Sequence, residues 1–482
     1  MMASPHIAVV GGGFVGAACA LHLLARGFKV TLVEASARCG GAAAASYGNA
    51  GTFANYACRP VNNPGLLTKL PLALVHPRSP VSVAPLGAEV IKWGSDPLTW
   101  RWLSLFARHC SEENVAYTTN ELAVLLHQAE EGWKVPLASL TSDERATLGE
   151  HWVGAEPTEG RLATPEAART GCMYLFDTEA AASADLAVRE GVGVRGRVLS
   201  RAEMTAKEPA LRDTDRTAVM YESAWSLASP GSLCAALNAA VARAPNGRLL
   251  TGRRVERLVD SAGAHVQLLD SDGTDVLAGE AVTHVVVAAG ARSGALARSV
   301  GDDIPIDTER GYHIVMEAPE ADAAPLLSRP VGGSGLYMSP MRHNDKNVVR
   351  VAGLVEMGGL DAPPTAKRFD QLESTVRELL PAIAPYKRVD EWLGYVEQAR
   401  CCSCYHYWYT NSPRLSRFRP TAPDALPYVG WSRRAPRVLY AFGHQHVGWT
   451  LGGITGAQVA DLVGGGGGAS GEAGPLDPHR FD

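Results

Sequence analysis

The sequence predicts an α/β domain of Rossmann-like type into which a second, α+β domain with an antiparallel sheet is inserted. The first 34 residues follow a strand–helix–strand pattern, at His6–Val10, Val15–Arg26 and Lys29–Val33. Similar α/β patterns return at 229–290 and at 438–463, so we expect the first domain to be assembled from separate pieces. Residues 311–356 alternate apolar and polar positions, which is typical of an antiparallel sheet.

The same patterns predict the remaining elements in chain order. Helices are expected at 112–131, 230–243, 369–380 and 452–463. Strands are expected at 171–176, 192–199, 218–221, 248–251, 255–259, 265–269, 283–289, 312–317, 335–340, 348–355 and 438–442. Prolines between residues 60 and 108 interrupt any long element there.

Length, charge and cysteine content exclude several classes of protein. The net charge of −5 argues against a nucleic-acid partner bound through its phosphates. Nine cysteines without regular spacing in 482 residues argue against a disulfide scaffold. We find no signal peptide and no apolar run long enough to span a membrane, so the sequence predicts a cytoplasmic protein. Peripheral membrane contact and the oligomeric state are left open.

A glycine-rich turn follows the first strand and carries the clearest functional signal. Gly11, Gly13 and Gly16 occupy the three glycine positions of G-x-G-x-x-G. This pattern lets a pyrophosphate approach the backbone and face the start of the helix at Phe14 and Val15. Glu34 lies 21 residues beyond Gly13, where its carboxylate can accept hydrogen bonds from a ribose diol. The sequence therefore predicts a dinucleotide-binding site without a 2′-phosphate.

The next residues distinguish between two dinucleotides. Five residues, beginning with Ala35, separate Glu34 from Gly40-Gly41. This E-x5-G-G extension resembles the FAD-binding signature of glutathione-reductase-like flavoproteins, so FAD, held without a covalent bond, is the expected cofactor.

The chain as a whole resembles the D-amino-acid oxidase-like FAD flavoproteins, and within them the D-amino-acid dehydrogenase small-subunit branch. The resemblance rests on the glycine turn and on four further blocks: Ser46–Gly51, Val287–Ser293, Arg419–Gly430 and Phe442–Leu451. It implies cofactor contacts at Ser46, Tyr47, Asn49, Ala50, Gly51, Val255, Ala289, Gly290, Gly443, Gly448, Trp449 and Thr450. A helix starting near Gly448 would point its positive end at the flavin ring.

The resemblance also implies a division of the chain. FAD-binding parts are expected at 1–85, 225–300 and 392–463, substrate-domain parts at 86–224 and 301–391, and a flexible tail at 464–482.

Substrate-site residues follow from the same resemblance. Arg419 heads the arginine–proline block, whose arginine holds the substrate carboxylate in several family members, and a guanidinium suits a carboxylate. Tyr337 matches an aromatic position that lines the substrate pocket in the family. Tyr312 and His313 lie on a neighbouring strand, and His446 is expected near the flavin edge. Each of these residues also has a purely structural interpretation, and no metal site is expected.

Residues 395–418 depart from the family pattern by separating Gly394 from the arginine–proline block. They contain Cys401, Cys402 and Cys404 among several aromatic residues. A lid near the active site and a surface or oligomer-contact insertion are both open interpretations. Covalent attachment of FAD through one of these cysteines, as in sarcosine oxidases, and a metal site are weaker alternatives.

The resemblance implies FAD-dependent oxidation of the C–N bond of a small amino acid, most simply a D-amino acid, by hydride transfer to flavin N5. The electron acceptor would be a quinone, an electron carrier or O2. Two alternatives remain. One is an amine oxidase of the glycine, sarcosine or proline type, and the other is a flavin-binding subunit of a complex without activity of its own.

Overall fold

A computed structural model describes residues 5–41, 44–67, 79–149, 170–261, 265–320, 324–344, 346–392, 419–465 and 474–482. The strands of these residues, in chain order, are β1 His6–Val10, β2 Lys29–Val33, β3 Thr52–Phe53, β4 Val81–Val83, β5 Cys172–Phe176, β6 Arg197–Leu199, β7 Thr217–Tyr221, β8 Trp225–Ser226, β9 Gly247–Leu250, β10 Arg257–Ser261, β11 His265–Leu269, β12 His284–Val287, β13 Asp307–Glu317, β14 Val331–Gly333, β15 Leu336–His343, β16 Lys346–Met357, β17 Lys387–Trp392, β18 Arg419–Thr421, β19 Tyr428–Trp431 and β20 Val438–Phe442. The helices are α1 Phe14–Ala25, α2 Ala88–Ser95, α3 Pro97–Arg108, α4 Glu112–Ala138, α5 Ser142–Gly149, α6 Glu179–Glu190, α7 Arg201–Lys207, α8 Pro230–Arg243, α9 Ser293–Ser299, α10 Ala366–Leu379 and α11 Gly448–Gly464.

A six-stranded sheet joins the start, middle and end of the chain. Its order is β19-β20-β12-β1-β2-β9, and all pairs are parallel except β19 with β20. The strands are short, apolar runs because both faces of a parallel sheet are buried, and every residue of β1 is buried. Helices α1, α8 and α11 pack around this sheet. The prediction of an α/β domain built from separated pieces is confirmed.

A larger sheet follows the order β17-β13-β16-β15-β14-β5-β7-β6, with β18 added to β13 and β4 added to β16. Its pairs are mostly antiparallel, as predicted, but β14 with β5 and β4 with β16 are parallel. Helix α10 covers β13 and β16 with a buried apolar stripe that includes Phe369, Leu372 and Val376. This stripe and the strands beneath it form a core separate from that of the six-stranded sheet.

The predicted domain boundaries differ from the packing at two places. Strand β4 pairs with Val355–Met357 of the large sheet, although residues 1–85 were assigned to the FAD-binding domain. Helix α4, assigned to the substrate domain, packs on α1 and α11 instead. His22 Nε2 lies 2.8 Å from the Gly132 carbonyl oxygen, and Trp133 Nε1 donates to the Trp449 carbonyl at 3.1 Å. Helix α4 therefore belongs to the core around the six-stranded sheet.

Several predicted elements have different limits. The strand expected at 192–199 is reduced to β6, because a turn at 191–193 and an irregular stretch at 194–196 follow α6, a helix that was not predicted. Pro97 does not break a helix but opens α3, where the side chain of Asp96 caps the Leu98 N–H at 2.9 Å. Proline at the first helical position needs no hydrogen-bonded N–H, so it is compatible with a 12-residue helix.

The expectation of a flexible tail is wrong for residues 474–482. Val429 N donates to the Leu476 carbonyl at 2.9 Å, and Arg480 donates from Nε and Nη2 to the two Asp424 carboxylate oxygens at 2.6 and 2.8 Å. The Arg480 guanidinium also lies 4.2 Å from the centre of the Tyr428 ring. This segment is therefore docked on the loop that follows Arg419 rather than free in solvent.

No helix among the described residues combines the length and the apolar character needed to cross a membrane.

Candidate active site

The three glycines of the first turn have different roles in the structure. Gly11 has a φ of +111°, and a Cβ there would lie 2.4 Å from the Ala288 carbonyl oxygen. A Cβ on Gly16 would lie 1.8 Å from the Gly11 carbonyl oxygen, so Gly16 allows α1 to pack on the turn. Gly13 differs because a Cβ there would meet only Ser46 Oγ, at 3.4 Å. The space beside Gly13 is open, as a bound pyrophosphate requires.

The start of α1 presents backbone N–H groups to the same space. Gly13 is its N-cap, and no acidic side chain lies in the first turn. The Phe14 N–H donates to Ser46 Oγ at 3.2 Å, which brings the loop after β2 against the helix start. An anion is favoured here, since the N–H groups and the helix dipole both point towards it.

Glu34 lies where β2 ends and faces the glycine turn. Its Oε2 accepts from the Gly12 N–H and its Oε1 from the Ser36 N–H, both at 2.8 Å. Each carboxylate oxygen can accept more than one hydrogen bond, so both retain acceptor capacity for a diol.

A cleft of about 370 Å³ runs from the glycine turn to the large sheet. The predicted site residues that line it are Gly11, Gly13, Phe14, Val15, Glu34, Ala35, Ser46, Asn49, Ala50, Val255, Ala289, Gly290, Tyr312, Tyr337, Arg419, His446, Gly448 and Trp449. Six predicted residues do not line it: Gly16, Tyr47, Gly51, His313, Gly443 and Thr450. Arg253, Arg254 and Arg292 also line the cleft and were not predicted: no motif marks Arg253 and Arg254, and Arg292 was passed over although it lies in the Val287–Ser293 block.

A second helix N-terminus borders the cleft at Gly448, the first residue of α11. Behind it, the Trp449 ring is buried against Phe14 of α1, with ring centres 4.6 Å apart. Thr450 does not reach the cleft but accepts a hydrogen bond from the Ala54 N–H through Oγ1 at 3.1 Å. Two helix starts are therefore fixed against each other by aromatic packing.

Arg350, on β16, holds the loop that contains Ser46 and Asn49. Its Nη1 donates to the carbonyls of Tyr47 at 2.8 Å and Asn49 at 3.1 Å, and its guanidinium lies 5.4 Å from the Tyr47 ring centre. Sequence analysis did not single out Arg350, because this role depends on a contact between positions about 300 residues apart. The loop is thus positioned by the large sheet.

His313 is not in the cleft, so the structure does not support its predicted place in the substrate site. It is fully buried, and its ring stacks on Trp392 with centres 4.9 Å apart. Its Nδ1 lies 3.4 Å from the Gly48 carbonyl oxygen. Burial, followed by the charge of Arg350, lowers the pKa of His313 well below its ordinary value. Its role is to hold the 46–51 loop.

Tyr312 borders the cleft, but its phenol is occupied on the other side of the sheet. The hydroxyl donates to Glu356 Oε1 at 2.5 Å and accepts from the Thr365 N–H at 3.2 Å. The ring packs edge-on against Phe369 of α10. The hydroxyl of Tyr312 is therefore not available to a substrate, which corrects its predicted role.

Tyr337 lines the cleft and belongs to a short chain of polar groups. Its hydroxyl lies 3.3 Å from the Tyr56 hydroxyl, which donates to Cys172 Sγ at 3.0 Å. Burial raises the pKa of both Tyr337 and Tyr56, so both phenols remain protonated. This neighbourhood fixes the Tyr337 hydroxyl at the cleft wall.

Arg419 places a guanidinium in the cleft. A Cβ on Gly311 would lie 2.7 Å from Arg419 Nη2, so the guanidinium lies directly over the bare backbone of Gly311. Among the described residues, the Arg419 guanidinium donates no hydrogen bond, and its charged neighbour is Glu309. Burial lowers the pKa of Arg419 and Glu309 opposes that change, and an arginine remains charged under these conditions. No residue that the structure describes takes up these donors, and a guanidinium can hold a planar anion through two of them.

His446 lines the cleft near Arg419. Desolvation, followed by the positive charge of Arg419, lowers the pKa of His446, although its side chain is exposed at the cleft wall. Its imidazole is therefore neutral at physiological pH.

His444, in the same turn, leads to a prediction about stability. His444 is buried, and its Nε2 lies 2.8 Å from Thr455 Oγ1. Burial lowers its pKa to about 3, from the ordinary value of 6.5 that applies in the unfolded chain. Between these values the unfolded chain binds a proton that the folded chain does not, so the free energy of unfolding should fall as the pH drops below 6.5. The contribution of His444 is about 1.4 kcal/mol per pH unit.

Urea denaturation at pH 7, 6, 5 and 4 checks this prediction. A His444→Gln variant keeps an amide that can reach Thr455. Its free energy of unfolding should fall less steeply with decreasing pH, by about 1.4 kcal/mol per pH unit, which corresponds to one proton. Identical slopes for the two proteins would contradict a neutral, buried His444.

Cys401, Cys402 and Cys404 lie outside the described residues, as does the whole of 395–418. In the part of the chain that the structure describes, no three histidine, cysteine or acidic side chains are grouped to hold a metal ion.

Comparison with known proteins decides the family. The family model described as DAO, FAD dependent oxidoreductase, matches residues 6–462. The chain belongs to the DAO family of FAD-dependent oxidoreductases. It is 32% identical over 475 residues to a D-amino-acid oxidase of Bradyrhizobium diazoefficiens, with 95% of each chain covered. It is 27% identical to a D-amino acid dehydrogenase of Paramagnetospirillum magneticum, again with 95% of each chain covered.

Solved structures share the fold of this chain. Glycine oxidase from Geobacillus kaustophilus superposes with a TM-score of 0.67 at 21% identity, covering 99% of this chain and 100% of that one. L-proline dehydrogenase from P. horikoshii gives a TM-score of 0.61 at 14% identity, covering 99% of this chain and 98% of that one. The predicted family, fold class and FAD cofactor are therefore confirmed, and the non-covalent attachment of FAD stays a prediction.

The cleft of this family member fits FAD. Gly13 leaves space beside the first helix start, Glu34 retains acceptors for the ribose, and Gly448 brings a second helix start to the cleft. The glycine turn would hold the pyrophosphate and the 46–51 loop would lie along the flavin. FAD would supply the two-electron redox chemistry, and the chain supplies the orientation of both partners.

Proposed function

We propose that this oxidoreductase oxidises the C–N bond of a small amino acid, most simply a D-amino acid, to an imino acid that hydrolyses to the keto acid. The observation that carries the proposal is the position of Arg419. Its guanidinium lies in the cleft over Gly311, with no hydrogen bond of its own among the described residues. A guanidinium binds a carboxylate through two parallel hydrogen bonds, which would fix both the position and the orientation of an amino acid.

The other residues of the cleft would orient the substrate rather than act as strong bases. Tyr337 remains a protonated phenol and can donate or accept a hydrogen bond near the carboxylate. The pKa of His446 is lowered from its ordinary value of 6.5, so its imidazole is neutral at physiological pH. The chemistry proposed here needs a neutral amine and a fixed Cα–H more than a strong base, which agrees with this set of groups.

The names of the relatives agree with this proposal. Proteins similar to this chain are called D-amino-acid oxidase and D-amino acid dehydrogenase, and both names concern D-amino acids. An amine oxidase of the glycine type is the second candidate, favoured by the similarity to a glycine oxidase structure over nearly the whole chain. The acceptor, whether a quinone, an electron carrier or O2, and the cytoplasmic location stay predictions.

Anaerobic reduction of the protein-bound flavin by a panel of compounds tests the proposal. We expect small D-amino acids to bleach the flavin absorbance without any partner protein, and their L-enantiomers to act much more slowly. Glycine, sarcosine and proline in the same panel test the second candidate. If no amino or N-methylamino acid reduces the flavin, the proposed function is wrong.

A further inference from the structure

Glu309 is a buried carboxylate beside the proposed substrate arginine, and the mechanism above does not use it. We propose that Glu309 is the resident counter-ion of Arg419 and takes up a proton when a substrate carboxylate binds that arginine. This inference rests on the proposed function, because it assumes that Arg419 holds the carboxylate.

Strand pairing places the two side chains together. β13 and β18 are antiparallel, and Glu309 lies directly opposite Arg419 in their register. Directly opposite residues project from the same face of a sheet with Cβ atoms about 5 Å apart. Gly311 lies two residues along β13 on that face and carries the guanidinium of Arg419 above its backbone. The guanidinium therefore lies on the same face of the strand pair as the buried carboxylate and borders the cleft.

The surroundings of Glu309 leave it dependent on Arg419. Its side chain is 2% exposed, and Oε2 has no hydrogen-bond partner in the described part of the chain. Thr421, also on β18, has its hydroxyl near the carboxylate but donates it to the Arg419 carbonyl at 3.4 Å, and Asp307, on the same strand as Glu309, adds a negative charge. His446 faces Arg419 but is neutral. Arg419 is thus the cation that faces Glu309 from the neighbouring strand.

The charge balance changes when a second carboxylate arrives. In the free protein, burial raises the pKa of Glu309 to about 7, although Arg419 lowers it. A substrate carboxylate on Arg419 places two anions on one cation, and a like charge disfavours ionisation of the buried one. Glu309 would then take one proton from solvent, leaving a neutral acid, one guanidinium and one bound carboxylate. No covalent bond to the substrate forms and no electron moves in this step.

This proton uptake gives carboxylate binding a defined dependence on pH. Below pH 7 Glu309 is already mostly protonated in the free protein, so binding of a carboxylate takes up few protons from solvent. Above pH 7 each bound carboxylate requires one proton, so affinity should fall about tenfold per pH unit until the pKa of Glu309 in the complex is reached.

The experiment is calorimetric titration of the FAD-loaded protein with benzoate and with acetate, carboxylates that carry no amine to oxidise. Phosphate and Tris absorb different heats when they release a proton. Comparing the binding heats at pH 8 in the two buffers therefore gives the number of protons taken up on binding. We expect an uptake approaching one proton for the wild type and none for Glu309→Gln, which should also bind more tightly than the wild type at pH 8. Asp307→Asn, a matched change of the other buried acid on β13, should keep the uptake.

The outcomes separate this inference from the proposed function. Benzoate or acetate binding without proton uptake by the wild type would overturn the role of Glu309 and leave the arginine clamp in place. Uptake that persists in Glu309→Gln and disappears in Asp307→Asn would likewise overturn it. If neither carboxylate binds, or if both bind equally well to Arg419→Met, both the clamp and the role of Glu309 are wrong. The wild-type measurement decides the matter even if Glu309→Gln does not fold.

Discussion

Replacing Arg419 by methionine should weaken binding of amino-acid substrates by roughly 30- to 5000-fold, about 2–5 kcal/mol, while the protein still binds FAD. Methionine fills similar volume beside Gly311 but cannot bind a carboxylate. The loss should appear in the substrate concentration needed for half-maximal flavin reduction, measured by anaerobic stopped-flow absorbance.

Two control variants sharpen this prediction. Arg298→Met changes an exposed arginine of α9 that does not line the cleft, so it should leave flavin reduction unchanged. The double variant Arg419→Met, Glu309→Gln removes the buried acid together with its counter-ion and should be at least as stable as the single variant. If Arg419→Met needs the same substrate concentration as the wild type for half-maximal flavin reduction, another group binds the carboxylate.

Alanine at Gly16 should be far more damaging to the fold than alanine at Gly13, although both belong to the same motif. A Cβ on Gly16 overlaps the Gly11 carbonyl oxygen at 1.8 Å, so α1 must shift, and we expect a loss of about 3 kcal/mol or more in the free energy of unfolding. A Cβ on Gly13 makes an ordinary contact in the protein but enters the space of the pyrophosphate. Gly13→Ala should therefore fold normally and bind FAD at least about tenfold more weakly.

Denaturation of the apoproteins and fluorescence titration with FAD measure the two effects separately. Gly94→Ala is a suitable control, because a Cβ there meets nothing within 4 Å among the described residues and Gly94 does not line the cleft. Equal stability losses at Gly13 and Gly16 would contradict the separate roles given to these two glycines.

Sequence analysis found the features whose signal is local. The strand–turn–helix around Gly11, Gly13 and Gly16 is recognisable because its steric requirements fall within a few residues. The missed helix α6 also had a local signal: Thr178 caps it by accepting from the Ala181 N–H at 3.2 Å. An N-cap residue before an alanine-rich stretch is a start signal that could have identified this helix.

The contacts that complete the site have no local signal in the sequence, so they could not be predicted from it. Arg350 holds the loop at 46–51 across some 300 residues of chain, and Glu309 meets Arg419 only because β13 and β18 pair. His313 and Tyr312 were both expected at the substrate, but adjacent residues of a strand face opposite sides, and neither offers its polar group to the cleft. Such assignments depend on register, which a single sequence does not specify.

The order of strands in the six-stranded sheet has a consequence for synthesis of the protein. β1 lies between β2 and β12, and β12 in turn pairs with β20, so the nucleotide-binding turn made first is completed by strands made last. The cleft is complete only after synthesis has passed α11. We therefore expect nascent chains to capture flavin only late in translation, and refolding to be slow, because such distant pairings carry a high entropic barrier.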